Sequence, residues 1–102
     1  MRTPHHPERN QLDLSAVLYA LSDPTRMEVV RRLAGEGELA CGTFGLPTTK
    51  ATLSHHFKVL REAGLIHTRV EGVHRYNSLR KQDLEARFPG LLKAVLKASG
   101  QS

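Results

Sequence analysis

Thr52-Leu53-Ser54-His55-His56-Phe57-Lys58-Val59-Leu60-Arg61-Glu62-Ala63-Gly64-Leu65-Ile66 decides the reading of this chain. Leu53, Phe57 and Leu60 recur at helical spacing and make one apolar stripe, with His56 at its edge. Ala51, Ser54, His55, Lys58 and Glu62 fall on the opposite face. Pro47-Thr48-Thr49 supplies a turn and a cap ahead of Lys50, and Gly64 closes the helix. Beyond Gly64 the apolar period changes. Ile66-His67-Thr68-Arg69-Val70 and Val73-His74-Arg75-Tyr76-Asn77 read as two strands around Glu71-Gly72, where Gly72 supplies the positive φ that a two-residue hairpin needs.

Working outward, Leu14, Val17, Leu18 and Leu21 mark a helix that begins near Leu12. Ser22-Asp23-Pro24 ends it and starts another, with Asp23 as N-cap and Pro24 in the first helical position. In the second helix Met27, Val30 and Leu33 face inward, and Arg26, Arg31 and Arg32 are expected mostly outward. Gly35 and Gly37 end it. Glu38 to Leu46, broken by Gly42 and Gly45, has room for one or two helical turns. After the hairpin come Gln82–Phe88 and, past Pro89-Gly90, Leu91–Leu96, which is apolar on one side. Residues 1–11 show no apolar period and read as a flexible arm, ordered only by docking on a second subunit. Residues 12–98 form one domain and 99–102 a disordered tail. The order helix, helix, short helix, helix, hairpin, helix predicts a mainly α fold with a small β-hairpin (α+β), a winged helix-turn-helix.

The chain has 102 residues, 5% aromatic and none of them Trp, so its single modest core is aliphatic and a partner subunit is expected to complete it. The net charge of +5 is concentrated. Residues 49–80 hold Lys50, Lys58, Arg61, Arg69, Arg75 and Arg80 against only Glu62 and Glu71. A local basic surplus favours a polyanion, usually nucleic acid. The lone Cys41 rules out an internal disulfide framework and makes a reducing, cytoplasmic setting the expectation. No apolar run is long enough for a bilayer, and the polar start lacks a signal-peptide core.

The run Thr52–Ile66, with Leu21-Ser22-Asp23-Pro24-Thr25-Arg26 before it and Arg69-Val70-Glu71-Gly72-Val73-His74-Arg75-Tyr76 after it, resembles the recognition helix and wing of the ArsR/SmtB family. The resemblance spans residues 14–80. It implies a homodimeric repressor that binds palindromic double-stranded DNA and releases it when an inducer binds. It also implies an interface pairing the first and last helices, here Leu14, Val17, Leu18, Leu91, Leu92, Val95 and Leu96. That family's thiolate pair sits in a Glu-Leu-Cys-Val-Cys pattern. The matching run here is Glu38-Leu39-Ala40-Cys41-Gly42, so both cysteine positions are replaced. A second family site uses an Asp and two His on the last helix, but no histidine follows His74.

Family matching places DNA contacts at Thr49, Lys50, Thr52, Ser54 and His55. Lys58 and Arg61 are expected to hold phosphates rather than read bases, and Arg69 and Arg75 flank the hairpin tip. The plainer reading is a solvated helix face and charges guarding a strand edge. Strand alternation puts His67, Arg69, His74 and Tyr76 on one face. His67 with His74, or His5 with His6 on the arm, are candidate ligands for nickel or zinc as effector, although Arg69 opposes the first pair. Cys41 reads as a small packed residue, with no resolving cysteine in the chain. Catalysis is not expected: Ser54, His55 and His56 are helical neighbours that do not face one another, and no Gly-rich phosphate loop occurs. Two other readings stay open, a winged helix that binds protein and a regulator controlled by a partner protein. The first requires an apolar or acidic recognition face. RNA reading lacks the usual aromatic platform.

Overall fold

A computed structural model describes residues 4–100. Its elements are α1 (Leu14–Leu21), α2 (Pro24–Glu36), β1 (Leu39–Ala40), α3 (Lys50–Glu62), β2 (Ile66–Glu71), β3 (His74–Leu79), α4 (Lys81–Arg87) and α5 (Leu91–Ala98). The strands form one antiparallel sheet in the order β1-β3-β2. No helix among the described residues is long and apolar enough to cross a membrane.

Local chemistry sets the helix starts. Asp13, Asp23 and Thr49 each accept a backbone N–H three residues ahead, at 3.0–3.1 Å, so each satisfies a donor the helix cannot. The end of α3 is a Schellman turn: Leu65 N–H donates to Leu60 O and Gly64 N–H to Arg61 O, both at 3.0 Å. Gly64 is required there twice. Its φ is +86°, and a Cβ would lie 2.0 Å from Leu12 Cδ2.

The core is aliphatic, as its composition demands. Val29, Val30 and Leu33 of α2 meet Phe57 and Leu60 of α3, with Leu65, Ile66 and Leu84 closing the cluster. Burying each such side chain contributes roughly 1.5–3 kcal/mol. An exposed ion pair contributes about 0–1 kcal/mol. The stripe Leu53, Phe57 and Leu60 therefore sets which face of α3 remains outside.

Several expectations are corrected. Glu38–Leu46 forms no α-helix: Leu39 and Ala40 pair with Asn77 and Tyr76 of β3, and only a 3-10 turn, Cys41–Thr43, follows. Buried Asn77 holds this corner, accepting from Thr68 Oγ1 at 2.8 Å and donating to Cys41 Sγ at 3.1 Å. The hairpin turns one residue late, at Gly72-Val73, because Glu71 still pairs with His74. Arg26, expected outward, is buried. It donates to Ala20 O (2.7 Å), a carbonyl at the end of α1, and to Tyr19 O (3.2 Å), which Ser22 N–H and the Ser22 hydroxyl also reach.

Residues 4–11, read as an arm awaiting a partner, pack on their own chain. His6 Nε2 accepts Thr68 N–H at 2.9 Å, and its ring stacks on His67 with centroids 4.3 Å apart. Arg9 pairs with Asp83 at 2.7 Å. Residues 1–3 of the arm and 101–102 of the tail lie outside the described residues.

Candidate nucleic-acid interface

The outward face of α3 carries Lys50, Ser54, His55 and Lys58, all exposed. Thr49 is committed locally: its hydroxyl caps Thr52 N–H and lies 2.9 Å from Thr52 Oγ1, so both threonines shape the helix start. Ser54 stands where two clefts meet. One, about 390 Å³, runs along Lys50 and Thr48 to Gly45 and Cys41. The other, about 440 Å³, lies between α3 and the wing and is lined by Gly42, Val73, His74 and Arg75.

The two wing arginines differ sharply. Arg75 pairs across the hairpin with Val70, and among the described residues no carboxylate lies within ion-pair distance of it. Burial first, and the like charge of Arg75 second, push the Arg61 guanidinium below its ordinary pKa. Two cations held near each other in this way make a place for an anion. Arg69 points to the other face. It donates to Glu38 at 2.9 and 3.3 Å, pairs with Glu71, and lies 4.6 Å from the Tyr76 ring centre. The hydrogen bonds to Glu38 and Glu71 raise its pKa and hold Glu38 below the usual carboxylate range. Arg69 is therefore not the free cation that its place beside the tip suggests.

The angle of α3 is held from behind. Arg26 Nη1 lies 3.2 Å from His56 Nδ1, and His56 Nε2 lies 3.8 Å from Asp23 Oδ2. The Arg26 N–H donated to Asp23 is the main reason its carboxyl titrates below the usual range. His56 thus serves structure, as its place at the stripe edge implied, and ties α3 to the α1–α2 corner. The Asp23 to Arg26 spacing was visible in sequence, but its connection to His56 was not.

The candidate metal pairs come apart. His67 pairs with Ser78 and His74 with Glu71, four residues along the strand, or about 13 Å. His6 meets His67 rather than His5, and its Nε2 is already occupied by Thr68 N–H. Among the described residues no three His, Cys, Asp or Glu side chains gather as a metal site.

A basic, exposed helix backed by a packed helical corner and flanked by a hairpin is the geometry of a DNA reader. A family model described as "Helix-turn-helix domain" matches residues 21–69. The uncharacterized HTH-type transcriptional regulator YceK of Bacillus subtilis is 42% identical over 82 residues, which is 78% of this chain and 82% of that protein. The transcriptional repressor BigR of Xylella fastidiosa is 30% identical and superposes with a TM-score of 0.64, over 83% of this chain and 84% of that one.

The chain belongs to the ArsR/SmtB family of helix-turn-helix transcriptional regulators.

The fold agrees. The crystal structure of an ArsR family transcriptional regulator, 23% identical, has a TM-score of 0.68 over 91% of this chain and 99% of that one. In this ArsR/SmtB chain the surfaces assigned to the dimer divide. Leu14 and Leu18 are nearly half exposed on α1, whereas Val17 is 1% exposed, locked in the core and unable to meet a partner. Leu91, Leu92, Val95 and Leu96 are partly buried against their own core, so α5 retains only part of its apolar face for another chain.

Proposed function

We propose that this regulator binds a palindromic operator as a homodimer in the cytoplasm and represses transcription, with α3 of each subunit in the major groove. The observation that carries this reading is the exposed α3 face of Lys50, Ser54, His55 and Lys58, which opens through Ser54 onto the cleft it shares with Arg75; among the described residues none of these cations has a carboxylate within ion-pair distance. Ser54 and His55 offer groups for base edges, while Lys58, Arg61 and Arg75 neutralise phosphates. Thr49 and Thr52 act by shaping the helix start, whose positive dipole end favours phosphate. Leu14 and Leu18 supply the centre of the dimer contact, with Leu91 and Val95 beside them. Two-fold symmetry then sets half-sites about one helical turn, or a multiple, apart.

Among the described residues the exposed face of α3 carries Lys50, Ser54, His55 and Lys58, whereas a protein-binding winged helix calls for an apolar or acidic face, which favours DNA as the partner. The test is fluorescence anisotropy on DNA upstream of the gene, with a scrambled duplex as control and several salt concentrations. Selective binding of two chains per site, falling steeply with salt, is expected. Lys58→Ala should weaken both duplexes, and His55→Ala should change sequence preference. Equal affinity for both duplexes at every salt concentration would overturn the reading.

A further inference from the structure

An open groove of about 530 Å³ lies at the last turn of α2, between α4 and α5. Its size falls in the range of small-molecule sites, roughly 300–1,000 Å³. Ala34, Leu92 and Leu96 give it an apolar floor, and Lys81, Lys93 and Lys97 stand around that floor with Glu85. None of these residues belongs to α3 or the wing, so the DNA-reading surface does not account for this second cationic cluster.

The charges are arranged unevenly. Both Glu85 carboxylate oxygens lie 3.2 Å from Gly90 N–H, which occupies this acid at the start of α5. Lys81 Nζ lies 3.5 Å from Ala34 O, which places its ammonium at the α2 edge. Lys93 and Lys97 sit one helical turn apart, beside Leu92 and Leu96 at the same spacing. Among the described residues neither has a carboxylate within ion-pair distance. A cation entering here meets three like charges against the single carboxylate of Glu85, and a neutral hydrocarbon leaves the lysines unused. A carboxylate with an apolar tail satisfies both rows.

We propose that this groove binds an amphipathic monocarboxylate, its tail on Ala34, Leu92 and Leu96 and its head on Lys93, Lys97 and Lys81. The proposal rests on the regulator reading, for which it supplies an effector site. The same α2 that borders the groove packs on α3 and β3, so a ligand there bears on the helix behind the reading head.

The test is calorimetric titration of the full chain, without DNA, using decanoate and decyltrimethylammonium as probes of equal tail and opposite charge. Saturable decanoate binding at one per chain is expected, with the cation bound much more weakly. The double variant Lys93→Ala, Lys97→Ala should lose roughly tenfold in decanoate affinity. Its melting temperature and its operator affinity without decanoate should stay unchanged. Equal binding of both probes, no saturation at millimolar decanoate, or full affinity in the double variant would overturn the site. So would light scattering that shows the same substitutions splitting a dimer, because the groove would then belong to a second copy. Operator binding without decanoate binding sinks the groove alone; decanoate binding without operator binding sinks the regulator reading alone.

Discussion

The two faces of the wing carry one arginine each, and they are in opposite electrostatic states. Arg69 lies between Glu38 and Glu71 and over Tyr76, so its face offers a neutralised cation beside a surplus carboxylate. Arg75 opens onto the cleft with Ser54 and adds its field to Arg61. A phosphate approaching Arg69 has to displace two carboxylates, and one approaching Arg75 displaces only water. Charge type and distance from the hairpin tip are therefore poor guides to which arginine meets DNA. The deciding factor is whether an acid arrives from elsewhere in the chain, as Glu38 does.

The largest expected effect is on the open face. Arg75→Ala should lower affinity for any duplex roughly tenfold at low salt and reduce the slope of log K against log salt by about 1. Anisotropy across a salt series reads both. A loss confined to the operator, with the slope unchanged, would mean that Arg75 reads bases. Glu38→Gln comes next. It removes one of the acids on Arg69 and should raise affinity for scrambled DNA a few-fold, by about 0.5–1 kcal/mol. Arg69→Ala should change DNA affinity by less than about twofold and leave the melting temperature nearly unchanged, since it removes only exposed pairs. If Arg69→Ala weakened binding as much as Arg75→Ala, the contrast between the faces would be wrong.

The smallest effect concerns the base of the same strand, where His6 accepts Thr68 N–H. Burial, and then the charges of His67, Arg61, Arg80 and His5, lower the His6 pKa from 6.5 to about 4. The docked form therefore binds fewer protons than the unfolded chain between these values. Stability from docking is complete above 6.5, declines as pH falls, and is lost by about 4. His6→Gln keeps an acceptor without the titration. The wild type should lose melting temperature relative to His6→Gln across that window. Parallel melting curves would show that His6 is not the titrating contact.

Some of this site is legible in the linear chain. The stripe Leu53, Phe57 and Leu60 predicts α3 and, by complement, the exposed Ser54, His55 and Lys58. Arg26 is illegible by the same logic: it sits among outward-reading arginines, yet it turns inward to donate to the Ala20 and Tyr19 carbonyls at the end of α1. Leu39 and Ala40 are equally silent, because a two-residue strand has no period to read and exists only through its pairing with β3.

By itself, then, the sequence determined where α3 lies, how its ends are capped, where the hairpin lies to within one residue of its turn, and which family they belong to. Periodicity, capping and turn chemistry act over a few neighbouring residues, so a short window contains the whole cause. Tertiary structure decided which arginine is free, what holds α3 at its angle, and where the arm lies. Those outcomes rest on contacts between residues far apart in sequence: Arg69 to Glu38 across 31 positions, Arg26 to His56 across 30, and His6 to Thr68 across 62. No local pattern carries such pairings. They form when the aliphatic core brings the elements together, and the surface charges then pair with whatever is near.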